Sequence, residues 1–153
     1  MVSALSADVH KASDEAFKYC DTPYATGADK LKEVKERIEA FVKKGNLGPF
    51  ANAYWGHPTY KFTPEQNLIV LSHYLECLRI QRTVAQMMAI FGSKNPHPQS
   101  LTVGGVTCVM DLLDPARLGE YLTKFQETAD FINRAYYPDL VMAAKAYGSE
   151  PSV

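Results

Sequence analysis

The sequence predicts an all-α fold of about five helices around one long central helix. Three observations carry this. Apolar residues recur at helical spacing in four separate stretches, helix start and stop signals bracket them, and one periodic run extends from Pro64 to Phe91 without a break. The 153 residues are 46% hydrophobic and 22% charged, a composition able to build a core. They are expected to form a single helical segment, 1–153.

Residues from about Ala4 to Tyr19 read as a weakly amphipathic helix, ended by Asp21-Thr22-Pro23. The next helix places Leu31, Val34, Ile38, Phe41 and Val42 on one face. Glu33 with Arg37 and Glu39 with Lys43 form i,i+4 pairs on the other, and Gly45-Asn46 is its stop. Between Gly45 and Lys61 the periodicity disappears. Phe50, Tyr54, Trp55 and Tyr60 are expected to anchor that loop by packing inward.

Thr63-Pro64-Glu65-Gln66 is a strong helix start: Thr63 caps, Pro64 suits the first turn, and Gln66 completes a capping box. The helix to Phe91, stopped by Gly92, spans roughly 42 Å at the standard rise. Leu68, Leu71, Leu75 and Leu78 make one face, yet Ile69, Val70, Tyr74, Ile80, Val84, Met87 and Met88 spread around the rest. A helix apolar on several faces belongs in the middle of something large. Leu101 to Met110 reads as a short extended element, with Gly104-Gly105 marking a bulge or close backbone approach. Asp114-Pro115 starts another helix with a stripe of Leu118, Leu122, Phe125, Ala129 and Ile132. Tyr137-Pro138 is expected to break it before a short apolar helix, Leu140 to Tyr147.

Net charge is −1, so no electrostatic footprint for nucleic acid exists, and the lysines from Lys30 to Lys44 are interleaved with Glu33, Glu36 and Glu39. The N-terminal residues carry no basic region followed by an apolar stretch, so no targeting signal is read there. The longest apolar run holds His73, Glu76, Arg79 and Arg82, which excludes a spanning helix. Cys20, Cys77 and Cys108 are widely spaced, without a Cys-x-x-Cys pair. With His57 and His97 they include residue types that suit zinc, but no two lie near enough to seed a site. Gly104-Gly105 lacks the lysine of a phosphate loop. No cysteine is singled out as the nucleophile of a small hydrolase, and His73 reads as a satisfied helical histidine. His97 differs: Pro96 and Pro98 stiffen its backbone, which aims the imidazole at little entropic expense.

Gly56-His57-Pro58, Pro64-Glu65, Asn67-Leu68, His73-Tyr74-Leu75, Gln81-Arg82, Lys94-Asn95-Pro96-His97-Pro98-Gln99 and Gly104-Gly105-Val106 follow in order. Their order and spacing resemble the middle of the nickel–iron hydrogenase large subunit, densely from Tyr54 to Val109 and more loosely on both sides. Ser93 departs from the pattern, where family members commonly carry glycine. The resemblance implies a parent enzyme that oxidises or forms dihydrogen at a nickel–iron centre and passes electrons to an iron–sulfur small subunit. That centre is held by cysteines of two motifs, Arg-x-Cys-Gly-x-Cys and Asp-Pro-Cys-x-x-Cys, neither of which occurs in these residues. No catalytic, cofactor-binding or metal-ligating residue is therefore expected here, and the segment is expected to be inactive alone. It reads as an internal piece of a larger subunit, acting as scaffold and subunit interface.

The resemblance also implies that Lys94, Asn95, Pro96, His97 and Pro98 lie toward the small subunit and its first iron–sulfur cluster. The region before Tyr54 looks most like membrane-associated uptake enzymes, which places the parent on the periplasmic side of the membrane. Expected partners are the small subunit, the remainder of the large subunit, and further copies of the segment through its uncovered apolar surface. The alternative is a free-standing helical protein-interaction module with no redox role. A reading frame that stops at these termini, instead of continuing into the two cysteine motifs, would favour it.

Overall fold

In a computed structural model, residues 2–20, 26–45, 60–92, 94, 101–106 and 113–149 are described. Five α-helices run through them: α1 (Val9–Tyr19), α2 (Ala28–Lys43), α3 (Pro64–Gly92), α4 (Pro115–Phe131) and α5 (Tyr137–Tyr147). The strands β1 (Leu101–Thr102) and β2 (Gly105–Val106) complete the set. The class is mainly helical, as the periodicity indicates. The chain divides into two compact units, one of Met1–Leu75 with Asn133–Val153 and one of Glu76–Ile132.

In the first unit, α1 begins later than the expected Ala4. Val2–Ser6 forms a short 3-10 turn, and Asp8 takes extended angles (φ −81°, ψ 123°) as the N-cap. Its carboxylate accepts from the backbone N–H of His10 at 2.9 Å and of Lys11 at 3.1 Å. A carboxylate at that position satisfies orphan N–H groups and complements the helix dipole, so the chain restarts its helix there. The Lys11 N–H, followed by that of His10, holds the Asp8 carboxyl below its usual range.

The core of this unit is Ala4, Ala7, Ala12 and Ala16 against Leu31, Val34 and Ile38 of α2, Leu68 and Ile69 of α3, and Met142 of α5. Polar ties hold its rim. Lys35 Nζ donates to the Ala7 carbonyl at 2.8 Å, and the Asp8 N–H donates to Glu65 Oε1 at 3.2 Å. Phe41 stays half-exposed at the end of the α2 stripe. Glu33 pairs at 3.0 Å with Lys30, one turn back. Gly45 ends the helix at φ 71°, a conformation that suits glycine.

The capping box of α3 forms as its residues require. The Thr63 N–H donates to Gln66 Oε1 and the Gln66 N–H donates to Thr63 Oγ1, both at 3.2 Å. Replacing Thr63 with alanine is expected to lower stability by about 1 kcal/mol, measured by urea denaturation, with Thr63→Ser close to wild type. Just before the box, Tyr60 does not pack inward; it is exposed. The Lys61 N–H instead reaches Tyr147 Oη at 3.1 Å, and Phe62 meets the Tyr147 ring edge-on at 5.3 Å. Phe50, Tyr54 and Trp55 lie outside the described residues.

In the second unit, α3 and α4 meet through mixed contacts. Arg79 pairs with Glu127, Lys124 Nζ donates to Gln86 Oε1 at 3.0 Å, and Phe91 packs on Tyr121 with ring centroids 5.0 Å apart. Asp114 caps α4 by accepting from the Ala116 N–H at 2.9 Å, with Pro115 in the first turn. Of the expected extended element, residues 101–106 form an antiparallel hairpin with Leu101 opposite Val106 and Thr102 opposite Gly105, and residues 107–110 lie outside the described residues. Gly104 serves its turn at φ 92°, so the glycine is there for a turn and not for a bulge.

The expected break at Tyr137-Pro138 does not occur. Ile132–Tyr136 form a π-helical turn, and α5 starts at Tyr137, three residues before the expected Leu140. Proline lacks an N–H and crowds the carbonyl four residues back. A π turn shifts the hydrogen-bond ladder locally, which lets Pro138 sit in the first turn of α5 while the backbone stays helical.

Candidate functional site

The described residues bring together one set of buried polar side chains with catalytic-looking chemistry, all within the first unit. His73 on α3 is 4% exposed and Thr26, just before α2, is 7% exposed. The Nδ1 of His73 lies 2.9 Å from both carboxylate oxygens of Asp139, in the first turn of α5. Its Nε2 lies 2.5 Å from Thr26 Oγ1. An ionised carboxylate only accepts, so Nδ1 carries the hydrogen toward Asp139. In the neutral imidazole, Nε2 then accepts from the Thr26 hydroxyl.

A hydroxyl, an imidazole and a carboxylate in line are the parts of a nucleophilic relay. Among the described residues they have little room around them. The void beside them measures about 10 Å³ and is bounded by Ala16, Tyr19, Ile69, Arg134, Pro138 and Met142. That is the lower limit for a single water, so this void beside His73 and Asp139 holds no substrate. The triad ties the segment before α2 to α3 and α5. The sequence marks His73 as satisfied, but its partners stand 47 and 66 residues away, beyond any local signal.

Of the residues predicted near an electron relay, Lys94 is exposed, and its N–H donates to the Gly92 carbonyl at 2.7 Å. Asn95, Pro96, His97 and Pro98 lie outside the described residues, as do His57 and Cys108. Cys20 is buried at the end of α1 and Cys77 is half-buried on α3. Among the described residues, no three His, Cys, Asp or Glu side chains are grouped so as to hold a metal ion. No helix among them is long and apolar enough to cross a membrane.

A family model described as nickel-dependent hydrogenase matches residues 1–153, the whole chain. The chain belongs to that family. It is 67% identical over 153 residues to the quinone-reactive Ni/Fe-hydrogenase large chain of Wolinella succinogenes, which covers all of this chain and 27% of that protein. It is 37% identical over 155 residues to the uptake hydrogenase large subunit of Rhizobium leguminosarum bv. viciae, covering 96% of this chain and 26% of that one. To the Hydrogenase-1 large chain of Escherichia coli it is 40% identical over 147 residues, covering 91% and 24%. The chain thus spans about a quarter of the length of these hydrogenase relatives.

The family implies a nickel centre, and the described donor set does not fit one. Such a metal calls for several convergent soft ligands. The two described thiols stand apart from any group of three ligands.

Proposed function

We propose that these residues are an internal scaffold of a hydrogenase large chain and that they supply subunit interface, not the metal site. The parent oxidises dihydrogen reversibly at a nickel–iron centre and passes the electrons to an iron–sulfur small subunit. The observation that carries this is the match of the hydrogenase family model across all 153 residues. The relative sharing 67% identity is named quinone-reactive, which supports a quinone as final acceptor and a membrane-associated enzyme. We place that enzyme on the periplasmic side, in keeping with the resemblance of the region before Tyr54 to uptake enzymes. Without the rest of the large chain, the segment is expected to associate with its own copies.

Two measurements on purified protein test the proposal. The 153-residue chain alone is expected to hold no stoichiometric nickel and to show no hydrogen uptake. The complete large chain with its small subunit is expected to show both. One tightly held nickel per isolated chain would sink the scaffold role, and a nickel-free, inactive complex would sink the hydrogenase function.

The Pro96-His97-Pro98 loop belongs to the same proposal. Prolines flank His97 on both sides in the sequence, and each proline restricts its own φ and the residue before it. We place this stretch toward the first iron–sulfur cluster of the small subunit, in keeping with the family resemblance. An imidazole N–H there donates to a cluster sulfur or a neighbouring carboxylate, and such contacts tune reduction potential. In the complete complex, His97→Ala is expected to shift the cluster potential and slow hydrogen oxidation at unchanged nickel content. Wild-type values of all three would make His97 a turn residue only.

A further inference from the structure

Among the described residues of the second unit, α4 carries an exposed apolar stripe. On α4, Leu118, Leu122, Phe125 and Ile132 (the last opening the π turn) recur at helical spacing and are 36%, 52%, 51% and 44% exposed. The same helix meets α3 through other side chains: Glu127, Lys124 and Tyr121, joined by Thr128, whose hydroxyl contacts Met87 Sδ at 3.8 Å. Its charged and polar groups are thus used on α3, while its apolar stripe lies on a different face and stays 36–52% exposed. On α3, Leu78 and Met88 are also about half exposed.

The chemistry of the stripe limits what covers it. No residue in it carries a charge, and Gly119 and Gln126 beside it are neutral. Reversible docking surfaces are about as polar as the rest of a protein surface, whereas permanent ones resemble a core cut in half. An uncharged stripe of this length is half of such a core. The relatives that match this chain end to end carry about three-quarters of their length outside it, which is ample chain to supply the other half.

We propose that the Leu118–Ile132 stripe seats an apolar helix from the remainder of the same large chain, not the small subunit and not a second copy. This rests on the scaffold role proposed above. The seated helix presents uncharged aliphatic or aromatic side chains at helical spacing and lies about 8–10 Å from the α4 axis.

The test uses the complete large chain carrying Leu122→Cys, with and without the small subunit. Iodoacetamide labelling is read peptide by peptide, with the unfolded protein as the full-reactivity reference. Labelling at position 122 is expected to slow by about tenfold or more in the large chain alone, and to stay slow when the small subunit is added. Fast labelling that slows only with the small subunit overturns the proposal and gives the stripe to that subunit. Protection that appears only as the large chain dimerises with rising concentration overturns it in favour of a second copy. Fast labelling throughout overturns it outright. Should Leu122→Cys fail to accumulate, hydrogen exchange of the α4 amides in the unmodified large chain gives the same comparison. A labelled stripe in an active, nickel-loaded complex defeats this inference alone, whereas an inactive, nickel-free complex defeats the hydrogenase function itself.

Discussion

Replacing His73 with alanine is expected to destabilise the first unit by about 3–5 kcal/mol, a large part of a domain's total stability. The imidazole is the middle member of the Thr26–His73–Asp139 chain, so its removal strands both neighbours at once. Asp139 keeps a carboxylate whose side chain is only 19% exposed and loses its hydrogen-bond donor. Thr26 keeps a buried hydroxyl without its acceptor. Smaller losses rank the other members. Thr26→Val is expected to lose about 1–2 kcal/mol, because the shape is kept and one hydrogen bond goes. Asp139→Asn, which keeps an acceptor for Nδ1–H, falls between the two. Urea denaturation followed by circular dichroism reads all three. If His73→Ala and Thr26→Val lost equal amounts, the stranded-carboxylate argument would be wrong.

The isolated chain is expected to run well above its 17.0 kDa monomer mass in light scattering, with the apparent mass rising with concentration. The motive is the exposed apolar surface on two helices: Tyr74, Leu78 and Met88 on α3, and Leu122 and Phe125 on α4, are each about half exposed. Large exposed apolar side chains in such number find a partner. At ~25 cal/mol per Å², several hundred uncovered Å² forfeit on the order of 10 kcal/mol, comparable to the stability of a whole domain. Leu122→Glu combined with Phe125→Glu is expected to reduce the association. A monodisperse monomer with a high, concentration-independent melting temperature would contradict the expectation.

Elements with local signals were legible in the sequence, and those set by distant partners were not. The start of α3 could be read from four consecutive residues because a capping box closes on itself. The end of α2 could be read from Gly45. The start of α1 was less legible. Apolar periodicity runs across Asp8, and only the extended angles of that residue reveal that it interrupts the helix. The π turn also escaped, since a proline after Tyr137 signals a break as readily as a shifted ladder. Tyr60 was misplaced because aromatic character alone does not say which ring of a loop turns inward.

The candidate site shows the same division. His73 stands out as a polar residue in an apolar run, yet Thr26 and Asp139 carry no mark that pairs them with it. Their meeting depends on how α3 and α5 pack. The Lys94–Pro98 loop is the reverse case. Its string is distinctive and carries the family resemblance, but Asn95, Pro96, His97 and Pro98 lie outside the described residues.

The alanine face of α1 sets an asymmetric tolerance to change. Ala12 and Ala16 are buried, and with Ala4 and Ala7 they meet the larger side chains of α2, α3 and α5. Each alanine contributes little apolar area, so trimming one to glycine loses mainly helix propensity, about 1 kcal/mol. Enlarging one forces side chains off their rotamers or moves a backbone, at about 1–3 kcal/mol or more. Sequence drift on this face is therefore confined to residues of alanine size or smaller, and the spacing between α1 and its neighbours is inherited as a fixed dimension. The residues opposite, Leu31, Leu68 and Met142, escape that limit only in pairs, when one side chain shrinks as the alanine across from it grows.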